Sequence, residues 1–326
     1  MKRRAFITLL GGAAAMWWPL AVRAQQPTPV VGFLGSRSPD DSVDLVAAFR
    51  TGLNEMGFAE NRNARIEFRW ADGHYDRLST LSADLVARQV TVICTWGLPG
   101  ALAAKAATTK IPVIFSTGAD PVEFGLVSSF SRPTGNLTGV AVLTNTLAPK
   151  QLELLHEVAP TARLIAFLAN PRSPIAESDK RDLQSAANVT GQQILVVNAS
   201  NEAELDLAFT AIAREHADAL LVMSDPLLNS RPDKIVTLAA RNALPAIYQW
   251  REFPLAGGLM SYGTINADSY RQVGIYAGKI LNGAKPADLP VQQSVKVELI
   301  INLKTAKTLG ITFPTTLLGR ADEVIE

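Results

Sequence analysis

Two short strings recur in this chain in the same order and at almost the same offset, and any fold has to accommodate both copies. Leu34-Gly35-Ser36-Arg37-Ser38-Pro39 follows an apolar run, and Leu168-Ala169-Asn170-Pro171-Arg172-Ser173-Pro174 follows another; the two arginines stand 172 − 37 = 135 positions apart. Ile111-Pro112-Val113-Ile114-Phe115 is echoed by Leu244-Pro245-Ala246-Ile247-Tyr248, with the prolines 245 − 112 = 133 positions apart. Ser and Pro are frequent after strands, so one echo alone carries little weight. Two echoes in order imply two similar α/β lobes in tandem, with a cleft between them.

The pattern between the echoes is strand, helix, strand. Short apolar runs at 30–34, 90–95 and 112–115 suit strands buried on both faces of a parallel sheet. Residues 65–70 alternate Arg65, Glu67 and Arg69 with Ile66, Phe68 and Trp70, which places that strand nearer an edge. Apolar positions at helical spacing separate the strands, and Gly57 is set to end the first helix. The rhythm restarts after residue 144, with strands at 164–168, 194–197, 219–223 and 246–248. This is the pattern of an α/β protein with two doubly wound parallel-sheet lobes joined by three crossover segments. The expected division is 25–143 plus 257–283 for the first lobe and 144–256 plus 284–326 for the second.

Residues 1–24 read as a cleavable export signal. Lys2, Arg3 and Arg4 precede a mostly apolar stretch, and Val22 and Ala24 are the small residues a signal peptidase needs ahead of Gln25. The order Arg3-Arg4-Ala5-Phe6-Ile7 fits a twin-arginine signal, with the general secretory route as the alternative. The stretch is shorter than the ~20 residues of a membrane span, so no stable membrane insertion is expected after cleavage. The absence of a cysteine near the cut excludes a lipid anchor there.

The 326 residues suffice for two domains, and 48% hydrophobic with 19% charged residues is a globular balance. Lys and Arg number 31 against 30 Asp and Glu, which argues against a nucleic-acid partner. The single cysteine, Cys94, lies in the apolar run Val90-Thr91-Val92-Ile93-Cys94 and reads as a buried structural thiol.

Ligands of open parallel sheets bind beyond the carboxyl ends of the strands, so the strand-end loops supply the candidate ligand-binding residues. These are Ser36, Arg37, Trp96, Gly97, Gly118 and Asp120 in the first half, and Asn170, Ser173, Ser224, Asp225, Tyr248 and Trp250 in the second. Hydroxyls, amides, a few charges and three aromatics suit a small organic molecule held by stacking and hydrogen bonds. Asp120 and Asp225, each followed by proline, also suit helix N-caps. Arg37 and Arg172 occupy equivalent loops, where a planar guanidinium fork suits a carboxylate.

No catalytic set is evident. His74, His156 and His216 fall outside these loops, no histidine pair has metal-ligand spacing, and no dinucleotide, nucleophile-elbow or phosphate-loop string occurs. Neither a metal nor a cofactor is expected.

Val30-Val31-Gly32-Phe33-Leu34-Gly35 and Phe49-Arg50-Thr51-Gly52-Leu53-Asn54-Glu55-Met56-Gly57 resemble the ABC-transporter substrate-binding proteins that include tryptophan-binding members. So do Tyr75-Asp76-Arg77-Leu78, Gly118-Ala119-Asp120-Pro121-Val122, Gly135-Asn136-Leu137-Thr138-Gly139-Val140 and Ile301-Asn302-Leu303-Lys304-Thr305-Ala306-Lys307-Thr308-Leu309-Gly310. The resemblance implies a type I periplasmic-binding-protein fold and a periplasmic receptor that closes on a small molecule. It also implies ABC-transporter permease subunits as partners. Aromatic-amino-acid binders of the family carry an Asp-Asn pair where this chain reads Ser224-Asp225-Pro226-Leu227, so an aromatic or other organic acid stands beside an aromatic amino acid as ligand. A sensory receptor without a transport role and an exported enzyme on the same scaffold are the alternative functions.

Overall fold

The computed structural model describes residues 28–294 and 296–326; the export signal expected at residues 1–24 lies outside the described residues. Strands β1 (Val30–Gly35), β2 (Arg65–Trp70), β3 (Val92–Trp96), β4 (Val113–Thr117) and β5 (Leu137–Ala141) come first. They are followed by β6 (Leu164–Ala169), β7 (Gln193–Asn198), β8 (Ala219–Val222), β9 (Ala246–Tyr248) and β10 (Met260–Thr264). The chain ends with β11 (Gln292–Gln293), β12 (Val297–Asn302) and β13 (Glu323–Ile325).

These strands build two sheets, in the orders β11-β5-β4-β3-β1-β2 and β13-β12-β10-β9-β8-β6-β7. The first five strands of each half therefore share one arrangement, 2-1-3-4-5, which is what the tandem echoes require. All pairings are parallel except β10 with β12. Central strands such as β3 and β4 are buried along their whole length, the condition for a sheet covered by helices on both faces. β2, with its alternating charges, is an edge strand.

Two chain assignments differ from the sequence reading. Residues 260–264 belong to the second sheet, where β10 pairs with β9 and β12, and the return to the first lobe comes at Ile265. Residues 284–293 stay with the first lobe: β11 pairs with β5, the Thr138 hydroxyl donates to the Leu289 carbonyl at 2.6 Å, and Val291 N–H reaches the Phe130 carbonyl at 2.7 Å. Gly257 and Gly258 interrupt the hydrophobic pattern as a linker would, and β11 is two exposed glutamines. Only the tertiary pairing reveals either strand.

After Ile265 the helix Asn266–Leu281 packs on the helix Val43–Glu55 at backbone contact. A Cβ on Gly52 would lie 1.9 Å from the Arg271 carbonyl oxygen, and one on Gly274 would lie 2.2 Å from that of Phe49. Paired Arg271–Glu55 hydrogen bonds of 2.7 Å flank the crossing. This ties the start of that helix rigidly to the first lobe. Beneath it, Phe33 and Phe49 are fully buried and meet edge to face at 5.5 Å; burial of one such ring stabilises by ~1.5–3 kcal/mol.

Candidate functional site

The carboxyl ends of both sheets face each other across a cavity of about 80 Å³. A buried water needs ~10–15 Å³ on this measure, so the space suits a small organic molecule rather than a polymer. From the first lobe, the loop after β1 contributes Ser36 and Arg37, β2 contributes Trp70, and β3 contributes Trp96 with Gly97 behind it. Ser116, Thr117 and Gly118 follow from β4, and Asn266, Ser269 and Tyr270 from the start of the last long helix. The second lobe supplies Ser173, Ile175, Ser224, Pro226, Asn229 and Trp250.

The aromatic groups form a connected array. Trp96 stacks on Tyr270 with centroids 4.4 Å apart and planes 10° from parallel. Phe33 lies 4.3 Å from Trp96 and 4.9 Å from Trp70. Burial pushes the Tyr270 hydroxyl up to about 12, with Arg37 opposing and Glu252 reinforcing the shift, so it remains a neutral phenol. The indole N–H groups of Trp96 and Trp250 and the Nε–H of Arg37 are buried without a protein acceptor.

Eight of the twelve sequence candidates share this wall: Ser36, Arg37, Trp96, Gly97, Gly118, Ser173, Ser224 and Trp250. The other four lie outside it. Asp120 caps the turn that follows, accepting from Val122 N–H at 2.7 Å and Glu123 N–H at 3.3 Å. Asn170 is buried; its side-chain oxygen accepts from Arg172 N–H and its amide donates to Asp225 at 3.1 Å. Asp225 caps the short helix Pro226–Asn229 through Leu227 N–H at 3.0 Å. Burial raises its carboxyl pKa, against the opposing hydrogen bonds from Asn170, Tyr75 and backbone N–H groups. Tyr248 is buried in the second lobe, stacked on Phe253 at 4.5 Å. Arg172 is exposed and outside the wall, so the two equivalent arginines do not face one another over the cavity.

Sequence reasoning missed Trp70, Asn229, Asn266, Ser269 and Tyr270. Trp70 ended a strand read as half exposed, Asn229 closes the short helix Pro226–Asn229 just beyond the β8 loop, and the other three sit on the helix Asn266–Leu281, whose approach to the cleft depends on the chain crossing. A signal existed for Trp70, since it ends a strand and so satisfies the strand-end rule.

The lobes meet directly. Tyr75 bonds Asp225, Arg231 bonds Asp41 at 2.6 Å, and an Arg37 Nη–H donates to the Asn229 carbonyl at 3.3 Å. Gly97 approaches Pro226 so closely that a Cβ would lie 2.7 Å from its ring.

Comparison with known proteins agrees with this architecture. The sequence profile of the family described as ABC transporter substrate binding protein matches residues 38–325. A tyrosine-binding protein of Clostridioides difficile (strain R20291) is 27% identical over 267 residues, covering 81% of this chain and 75% of that one. The crystal structure of an ABC domain in complex with L-Trp from Streptococcus pneumonia is similar at a TM-score of 0.82 and 26% identity, over 91% of this chain and 100% of the other. A conserved domain protein from Vibrio cholerae O1 biovar El Tor strain N16961 gives 0.84 and 26%, over 91% and 99%. With the family profile spanning both lobes and the cleft, this chain belongs to the ABC transporter substrate-binding proteins.

Proposed function

We propose that the chain is the periplasmic receptor of an ABC importer, which captures a small aromatic amino acid or aromatic organic acid between its lobes and presents it to permease subunits. The observation that carries this reading is the interlobe cavity walled by Trp70, Trp96, Tyr270 and Trp250, with hydroxyls and one guanidinium among them. Aromatic faces give a flat ligand a stacking surface, and polar groups at fixed places orient it. The names of two relatives point the same way, one tyrosine-binding and one solved with L-Trp. Capture proceeds by hinge closure about the crossover segments, because a ligand in an interlobe cavity needs the lobes apart to enter.

Ligand in contact with the wall indoles alters their surroundings, so intrinsic tryptophan fluorescence and the thermal midpoint should both shift on addition of the right aromatic compound. A broad panel of aromatic amino and organic acids that moved neither would sink the reading. Export belongs to the same proposal: replacing Arg3 and Arg4 by Lys should stop delivery by the twin-arginine route, and unchanged periplasmic appearance would assign the general secretory route.

A further inference from the structure

We propose that the ligand is an aromatic carboxylate without an ammonium group, which rests on the receptor reading and narrows it from amino acids to their deaminated or related acids. Among the described residues of the cavity wall Arg37 is the one charged side chain, and no Asp or Glu is present. A zwitterion needs both of its charges answered once water is excluded. Its carboxylate would meet the guanidinium, but its ammonium would meet neutral oxygens alone, and burying a charge without a counter-charge is strongly disfavoured.

The nearby carboxylates are committed or lie beyond the wall. Asp225 accepts from Tyr75, Asn170 and Leu227 N–H. Asp41 is held by Ser38 and Arg231. Glu252, whose charge is felt at Tyr270, sits on the helix Glu252–Leu255 outside the wall. One of its oxygens has no partner, which makes it the residue that decides the matter if an amino acid is taken.

The unpaired hydrogen-bonding groups ask for an acceptor. Trp96 and Trp250 are each 6% exposed, and their indole N–H groups, like Arg37 Nε–H, can only donate. Against these three donors the wall has one buried acceptor without a partner, Asn229 Oδ1. A carboxylate brings two oxygens and no hydrogens. In addition, three long helices, Leu98–Ala107, Ala176–Thr190 and Asn266–Leu281, begin at the wall. Their amino ends favour negative charge.

The test is calorimetry on the full mature chain with 3-phenylpropionate, 4-hydroxyphenylpropionate and indole-3-propionate, each against L-Phe, L-Tyr or L-Trp, and with neutral 3-phenylpropanamide. At least one acid should bind tenfold or more tighter than its amino acid, the amide should bind weakly or not at all, and Arg37→Gln should weaken the acid tenfold or more while the chain still unfolds in one cooperative thermal transition. If Arg37→Gln fails to fold, the acid–amide comparison decides. An amino acid that binds as tightly as its acid, above all one lost in Glu252→Gln, overturns this inference and leaves the receptor reading intact. An acid whose affinity ignores both the amide replacement and Arg37→Gln also overturns it. Silence across the whole panel overturns the inference and removes the aromatic ligand from the receptor reading with it.

Discussion

The hydroxyl of Tyr75 in the first lobe lies 2.9 Å from both carboxylate oxygens of Asp225 in the second. It also accepts from Leu227 N–H at 3.2 Å. Burial and the adjacent carboxylate both push the Tyr75 hydroxyl well above its ordinary value, so it stays a donor at every pH the protein meets. Tyr75→Phe leaves the buried carboxylate short of one donor. A hydrogen bond to a charged group is worth about 1.5–3 kcal/mol, which on the proposed hinge closure is roughly tenfold or more in the closed-to-open ratio. Small-angle scattering should show a larger radius of gyration for the variant without ligand, with ligand restoring the compact form. A variant as compact as the parent would show that this bond does not hold the lobes.

Acid should act on the second latch. Burial disfavours ionisation of Asp41, but hydrogen bonds from Ser38 and Arg231 and the charges of Arg231 and Arg37 outweigh it and hold the carboxyl below its usual 3.8. A depressed carboxyl contributes its stabilisation above the ordinary pKa and loses it as pH falls through the lowered value. The interlobe contact should therefore persist at neutral pH and weaken below about pH 4. Partly exposed pairs are worth ~0.2–1 kcal/mol, so scattering should report a modest opening that Asp41→Asn already shows at pH 7.

Gly97→Ala separates closure from folding. Gly97 has φ of +82° and ψ of 150°, a region nearly confined to glycine where an L side chain costs ~1–3 kcal/mol, and the added methyl would meet Pro226 across the cleft. The clash exists only with the lobes together. Ligand affinity should fall by more than tenfold while the thermal midpoint without ligand drops by a few degrees; equal losses in both would place the defect in folding.

Cys94 should be silent to thiol reagents. It is fully buried, and burial pushes its thiol far above the ordinary range. Labelling with a colourless disulfide reagent should await unfolding by guanidinium, and stoichiometric reaction of the native chain would contradict this.

The lobes were legible because parallel strands buried on both faces, such as Val92–Trp96 and Val113–Thr117, are written as short apolar runs. The strand-end rule then found Ser36, Arg37, Trp96 and Trp250. It failed where a strand is too short to leave a pattern, as at Gln292–Gln293. It also failed where side-chain roles are settled by distant partners. Asp225 looks like a ligand group in one dimension, yet its oxygens are engaged by Tyr75, 150 positions away. Tyr270 looks like an ordinary helix residue, until the crossing at Ile265 and the close contact of Gly52 with the following helix carry it to Trp96.

The cavity wall is shared unequally. Arg37, Trp70, Trp96 and Tyr270 all belong to the first lobe, while the second brings Trp250, Asn229 and small groups. On the proposed reading, a ligand can settle on the first lobe while the cleft still gapes, and the second arrives as a cover. Capture speed is then set by one half of the molecule and residence time by the other. Changes at Arg37 or Tyr270 would slow loading, whereas changes at Trp250 would hasten escape, and a permease that lifted the second lobe would discharge the cargo without touching it.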